Sequence, residues 1–100
     1  MHDGEDHAVF DADAIRSLPF VDETHEGVSF WNAEASGHQD ADIDLGDRYG
    51  RLALEVAKRL DMPELVAMVL RDIILGGKFT AVEAGFLGVV AKVARVGSMN

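Results

Sequence analysis

Between Asp44 and Gly97 the chain carries apolar residues at three- and four-residue spacing in three consecutive stretches. They are separated by Asp61-Met62-Pro63 and by Gly76-Gly77. That period belongs to amphipathic helices, and it restricts this half of the chain to helix packing. The first stretch runs from about Leu45 to Leu60. Leu45, Tyr49, Leu52, Val56 and Leu60 form one stripe, Asp44 is the candidate N-cap, and Lys58-Arg59 suit the negative end of the macrodipole. The second is expected to open at Asp61, with Glu64 three residues on and Pro63 in the first turn, and to end at Gly76-Gly77. It is apolar almost all round, interrupted by Arg71 and Asp72, so it belongs at the centre of a bundle or in an interface. The third opens at Thr80 with Glu83 three residues on, a capping box, and is expected to stop at Gly97.

Val82, Phe86, Leu87, Val89, Val90 and Val93 cover most of the third helix. Ala81, Ala84, Gly85 and Gly88 give it small residues three and four apart, a pattern that lets another helix backbone come close. Each glycine costs about 1 kcal/mol relative to alanine inside a helix, so two of them imply a packing reason. Helices two and three together hold more apolar surface than a three-helix unit buries easily. Either the N-terminal half covers it, using Phe20, Phe30 and Trp31, or a second subunit does.

Charge divides the chain. Residues 1–47 contain thirteen acids and one base, a balance of −12; residues 48–100 contain eight bases and five acids, a balance of +3; the whole chain is −9. Thirty of the 48 apolar residues lie in the second part. Residues 1–8 read as a frayed tail and 9–42 as an acidic segment, with 43–97 as the helical core. A short helix at about 12–18, capped by Asp11 and stopped by Pro19, is followed by two strand-like pairs, Phe20-Val21 and Val28 to Trp31. A loose hairpin through Asp22–Gly27 would join them. Ala33–Asp42 reads as a linker.

Strong acidity disfavours direct contact with nucleic acid or an anionic membrane. The acidic opening has no apolar core of a secretory leader, and no uncharged run approaches a membrane span, so the expected compartment is the cytoplasm. Without cysteine there is neither a disulfide nor a thiolate nucleophile. Asp40-x-Asp42-x-Asp44 begins like a calcium loop, but loop position six would be Leu45 and position twelve Arg51, where a bidentate acid belongs. His2, His7, His25 and His38 lack helical ligand spacing; a weak site from His25, Glu26 and His38 is the most that could be drawn. No serine has a nucleophile-elbow context, and Gly76-Gly77-Lys78 lacks the phosphate-loop spacing. A helix-turn-helix would have to read DNA through Ala81 to Phe86, which are core-type residues. The run Gly46-Asp47-Arg48-Tyr49-Gly50-Arg51, with Gly85-Phe86-Leu87, is loosely similar to small bacterial proteins, and that similarity implies no activity.

The expected molecule is mainly α: a C-terminal three-helix bundle, with the acidic segment, its short helix and a small hairpin packed across it. It is expected to be a non-enzymatic interaction or regulatory module, with no cofactor and no metal. The partner would be another protein or a second copy, as a homodimer. The expected interface is Phe30, Trp31, Gly85, Phe86, Val89 and Val90. The alternative is an acidic mimic of nucleic acid that blocks a DNA- or RNA-binding protein through Asp40, Asp42, Asp44 and Asp47.

Overall fold

In the computed structural model, which describes residues 13–24 and 27–98, the first described element is a single helical turn, α1 (residues 13–16), closed before Pro19. A two-stranded antiparallel hairpin follows, β1 (Asp22–Thr24) with β2 (Gly27–Ser29), in the register Asp22↔Ser29. Three helices complete the fold: α2 (Gln39–Arg59), α3 (Glu64–Gly76) and α4 (Ala81–Ser98). The molecule is mainly helical and its three C-terminal helices pack together.

The hairpin differs from expectation in register. The first strand falls on the polar residues Asp22–Thr24 and not on Phe20-Val21, and the second, Gly27–Ser29, takes in Val28 and Ser29 of the expected run but stops before Phe30-Trp31. Phe20-Val21 and Phe30-Trp31 lie at the base of the hairpin, where Asn32 N–H donates to the Phe20 carbonyl at 2.7 Å. Phe20 and Trp31 are thereby brought together and turned into the core. Phe20 is completely buried, with ring centroids 5.4 Å from Trp31, 5.1 Å from Tyr49 and 6.0 Å from Phe86. The N-terminal half thus covers the bundle intramolecularly at this point. Tilted and edge-on ring pairs at such distances add stabilisation beyond their buried area.

Helix α2 begins six residues before Leu45, within the expected linker. His38 takes the N-cap backbone conformation without a side-chain cap, and Asp44 caps nothing. The Asp42 carboxylate, inside the helix, reaches back instead. It accepts from Ser36 N–H at 3.0 Å, from Ser36 Oγ at 2.7 Å and from Gly37 N–H at 3.1 Å. Helix α2 therefore starts at Gln39, ahead of the expected Leu45.

The buried face of α2 is also not its stripe of large residues. Gly46, Gly50, Ala53 and Ala57 are buried with Val56, while Leu45, Tyr49, Leu52 and Leu60 flank them half-buried. A Cβ on Gly46 would lie 1.9 Å from the Val82 carbonyl oxygen, and one on Gly50 would lie 2.9 Å from Val89 Cβ. Across the crossing, a Cβ on Gly85 would lie 2.3 Å from the Ile43 carbonyl oxygen. Helices α2 and α4 therefore meet backbone to backbone, which only missing side chains permit. Gly88 has open space around its Cβ position and takes no part.

The end of α2 is a Schellman motif: Met62 N–H bonds to the Ala57 carbonyl at 2.8 Å and Asp61 N–H to the Lys58 carbonyl at 3.2 Å. Its left-handed position is held by Asp61, at φ +52°. Asp61 thus closes α2 and makes no capping box with Glu64; α3 starts behind Pro63 without a side-chain cap. Glycine is the residue that adopts this conformation without strain. Asp61→Gly is expected to raise stability by about 0.5–1 kcal/mol in urea unfolding; a loss of stability would contradict the assignment.

Helix α3 turns Leu65, Val69 and Ile73 inward and ends at Gly77, φ +72°, as expected. It is not the central helix. The α2–α4 pair forms the centre, and α3 lies along its side with one face outward. Helix α4 continues through Gly97 to Ser98. The tail at 1–8, with His2 and His7, and the proposed cap Asp11 fall outside the described residues, as do His25 and Glu26.

Candidate interaction surface

The capping box at the start of α4 forms as its spacing predicts. Glu83 accepts from Thr80 N–H and from Thr80 Oγ1, and Thr80 Oγ1 accepts from Val82 N–H at 3.2 Å. The sequence gives no sign of a third donor: Trp31 Nε1–H, 52 residues away, bonds to the other Glu83 oxygen at 2.8 Å. Glu83 is only 1% exposed. Burial pushes its carboxyl up, but the bonds from Thr80 Oγ1, Trp31 and Thr80 N–H outweigh burial and hold it below the ordinary glutamate range. Asp42 is likewise lowered, chiefly by the Ser36 hydroxyl and the Ser36 N–H. A third carboxylate completes the attachment of this segment: Asp72 of α3 accepts from Phe30 N–H at 2.8 Å. One acid from each long helix thus holds a segment of the chain between Phe30 and Gly37.

The expected interface residues are split by this arrangement. Gly85 and Phe86 are buried against the chain itself, Phe86 completely, and Val89 is 7% exposed. Trp31 and Phe30 are half-buried, with the indole stacked edge-on against Phe86 at 5.0 Å. Val90 is half-buried in a groove. Of the four acids expected to form a patch, Asp42 is buried in its bonds to Ser36 and Gly37. Asp47 accepts from Arg51 Nε at 2.8 Å, and Asp40 and Asp44 are exposed. All four lie on α2, so no calcium-type loop forms there. Among the described residues, no three His, Asp or Glu side chains converge as metal ligands, and no helix is long and apolar enough to cross a membrane.

Among the described residues the most exposed large apolar side chains lie on α3 and the turn after it. Ile74 is 76% exposed, Leu75 74% and Phe79 65%. Beside them a cavity of about 410 Å³ opens between α3 and α4, over Leu70, Ile73 and Leu87. A larger groove of about 940 Å³ opens between the C-terminal parts of α2 and α4 where α3 begins, lined by Leu54, Val66, Val89, Val90 and Val93. Its rim carries Glu55, Lys58, Asp61 and Lys92. The sequence indicated surplus apolar surface on these helices. Periodicity could not say which face would remain uncovered, because α3 is apolar on nearly every face. No family model, curated protein or solved structure matches this chain.

Proposed function

We propose that this chain is a non-enzymatic protein–protein interaction module whose docking surface is the apolar seam between α3 and α4. The observation that carries this reading is the three large apolar side chains Ile74, Leu75 and Phe79, each about two-thirds exposed or more. Ile74 and Phe79 line the cavity over Leu70, Ile73 and Leu87, and exposed apolar side chains beside a cavity are a surface on which partners bury their contacts. The seam replaces the face centred on Phe86, which is used up inside the molecule; Val89 and Val90 carry over as part of the groove floor. Binding rather than catalysis is also supported by the buried acids. Asp42 and Glu83 are each surrounded by donors from the chain itself, so at neutral pH both are anions engaged in structure and not proton carriers.

Affinity capture with wild-type and Leu75→Glu baits tests the reading. Leu75 lies on the surface, so the variant should fold normally. Protein retained by the wild type, a second copy included, is expected to be lost on the variant. Equal retention on both baits would remove the seam from the function.

A further inference from the structure

We infer that residues 30–37 form an acid-released strap: protonation of its carboxylate anchors frees the segment, with Trp31, while the three long helices stay packed. The inference concerns how the molecule opens and is independent of the docking seam. Among the described residues, every hydrogen bond that ties this segment to the helices ends on a carboxylate. Phe30 N–H bonds to Asp72 of α3 and Trp31 Nε1–H to Glu83 of α4, while Ser36 N–H, Ser36 Oγ and Gly37 N–H bond to Asp42 of α2. Among the same residues no backbone-to-backbone bond joins the segment to a helix; Asn32 N–H bonds back to the Phe20 carbonyl. Apolar anchoring is thin. Ala33 is buried, Phe30 and Trp31 are half-buried, and Asn32 and residues 34–37 are exposed. Segments with few buried apolar groups open at a lower free energy than the whole domain. Leu18 and Phe20, just before the hairpin, are buried and do not titrate, so they hold their end of the chain in the core.

Acid acts differently on the strap and on the helices. The ladders within α2, α3 and α4 join backbone groups that do not titrate. The strap's bonds run to ionised carboxylates, which makes them roughly twice as strong as neutral ones. A protonated carboxyl gives up that strength and brings an O–H donor into a ring made of donors. The charged neighbours are few. Arg71 Nε lies 3.3 Å from Asp72, and His38 lies beside Asp42. Glu83 has no ion pair among the described residues, and Tyr49 faces Trp31 from α2 with ring centroids 6.1 Å apart. Asp42 and Glu83 both titrate below their ordinary values in the folded chain. The strap is therefore fully held at neutral pH, and its attachment is lost as pH falls through those lowered values. Release bares Tyr49 and Phe86 on the α2–α4 face, against which the indole is seated at neutral pH.

The test is an acid titration of the full chain. Trp31 is its one tryptophan and lies in the strap, so emission and acrylamide quenching read the strap, while far-UV ellipticity reads the helices. Quenching is expected to rise at a pH higher by about half a unit or more than the pH at which ellipticity is lost. In the interval between them the Phe30, Ser36 and Gly37 amides should lose about a hundredfold in hydrogen-exchange protection, with Val56 and Val89 still protected. At pH 7 the urea transitions by emission and by ellipticity should coincide. Asp42→Asn and Glu83→Gln each remove one titrating anchor and should make the quenching transition shallower; either variant suffices if the other fails to fold. Quenching and ellipticity changing together at one pH would overturn the inference, since strap and bundle would then open as one unit. Emission that changes with no gain in quenching and no loss of protection would also overturn it, because Glu83 would then titrate in place beneath a closed strap.

Discussion

Alanine at Gly46 is expected to abolish the stable fold. Its methyl group would sit 1.9 Å from the Val82 carbonyl oxygen and 2.8 Å from the Phe86 nitrogen. Both obstacles are backbone atoms of α4, so no rotamer change relieves the clash and the two helices must move apart. Separation unpacks Val82 and Phe86, which are completely buried at this crossing. Overpacking a core costs about 1–3 kcal/mol even where side chains can yield. Here they cannot, and we expect more than about 3 kcal/mol after the gain of about 1 kcal/mol in helix propensity. A domain of this size has only about 5–15 kcal/mol in total. Gly85→Ala should behave alike, because its methyl would lie 2.3 Å from the Ile43 carbonyl oxygen. Gly88→Ala is the control. It lies in the same helix, is exposed and has nothing within 4 Å of its Cβ position, so it should be more stable than wild type by about 1 kcal/mol. Urea unfolding followed by Trp31 emission reads all three. A Gly46→Ala protein within about 1 kcal/mol of wild type would show that the crossing is looser than described.

The contrast among these glycines marks what periodicity can and cannot show. Counting large apolar residues locates the helices, and it found α3 and α4 almost to their ends. It is blind to a face defined by missing side chains, so the Gly46-Gly50-Ala53-Ala57 stripe of α2 went unread beside the more conspicuous leucines. On α4 the small-residue pattern was visible, but it could not separate Gly85, which meets α2, from Gly88, which meets nothing. Local hydrogen bonding was legible where its partners were close in sequence, as in Thr80 and Glu83. It was misread where the acid acts backwards, as with Asp42 on Ser36, and where a neighbouring acid fills a glycine's place, as with Asp61. β-Propensity in Phe20-Val21 and Val28 to Trp31 points to a hairpin of apolar strands. In the fold Phe20 and Trp31 are anchored in the core, while β1 is left to polar residues.

Glu83 is the second position where a single substitution should have a large effect, because three attachments end on it. Truncation to alanine removes the Glu83 half of the capping box, leaving Thr80 Oγ1 on Val82 N–H, and strands the Thr80 N–H and Trp31 Nε1–H. Each of these half-buried donors left unsatisfied costs about 1–3 kcal/mol. We expect about 3 kcal/mol in all, together with a changed Trp31 emission, since the indole loses its bond and its seat against Phe86. Glutamine is an informative middle case. A carboxylate offers acceptors on both sides, whereas an amide presents N–H groups on one, so one of the donors from Thr80 or Trp31 must face another donor. Glu83→Gln should therefore also destabilise, though by less than alanine. The two differ from wild type in pH dependence as well. In the folded chain the Glu83 pKa is lowered, so its contribution is fully present above the unfolded glutamate value of about 4.3 and is lost as pH falls through the lower folded value. Asp42, also lowered, behaves in the same sense and reinforces the acid limb. Wild type should lose stability steeply below about pH 4, and Glu83→Gln should flatten that limb while leaving the Asp42 part in place. An acid limb identical in wild type and Glu83→Gln would mean that Glu83 is not ionised within its ring of donors, and the attachment of Trp31 to α4 would then need another explanation.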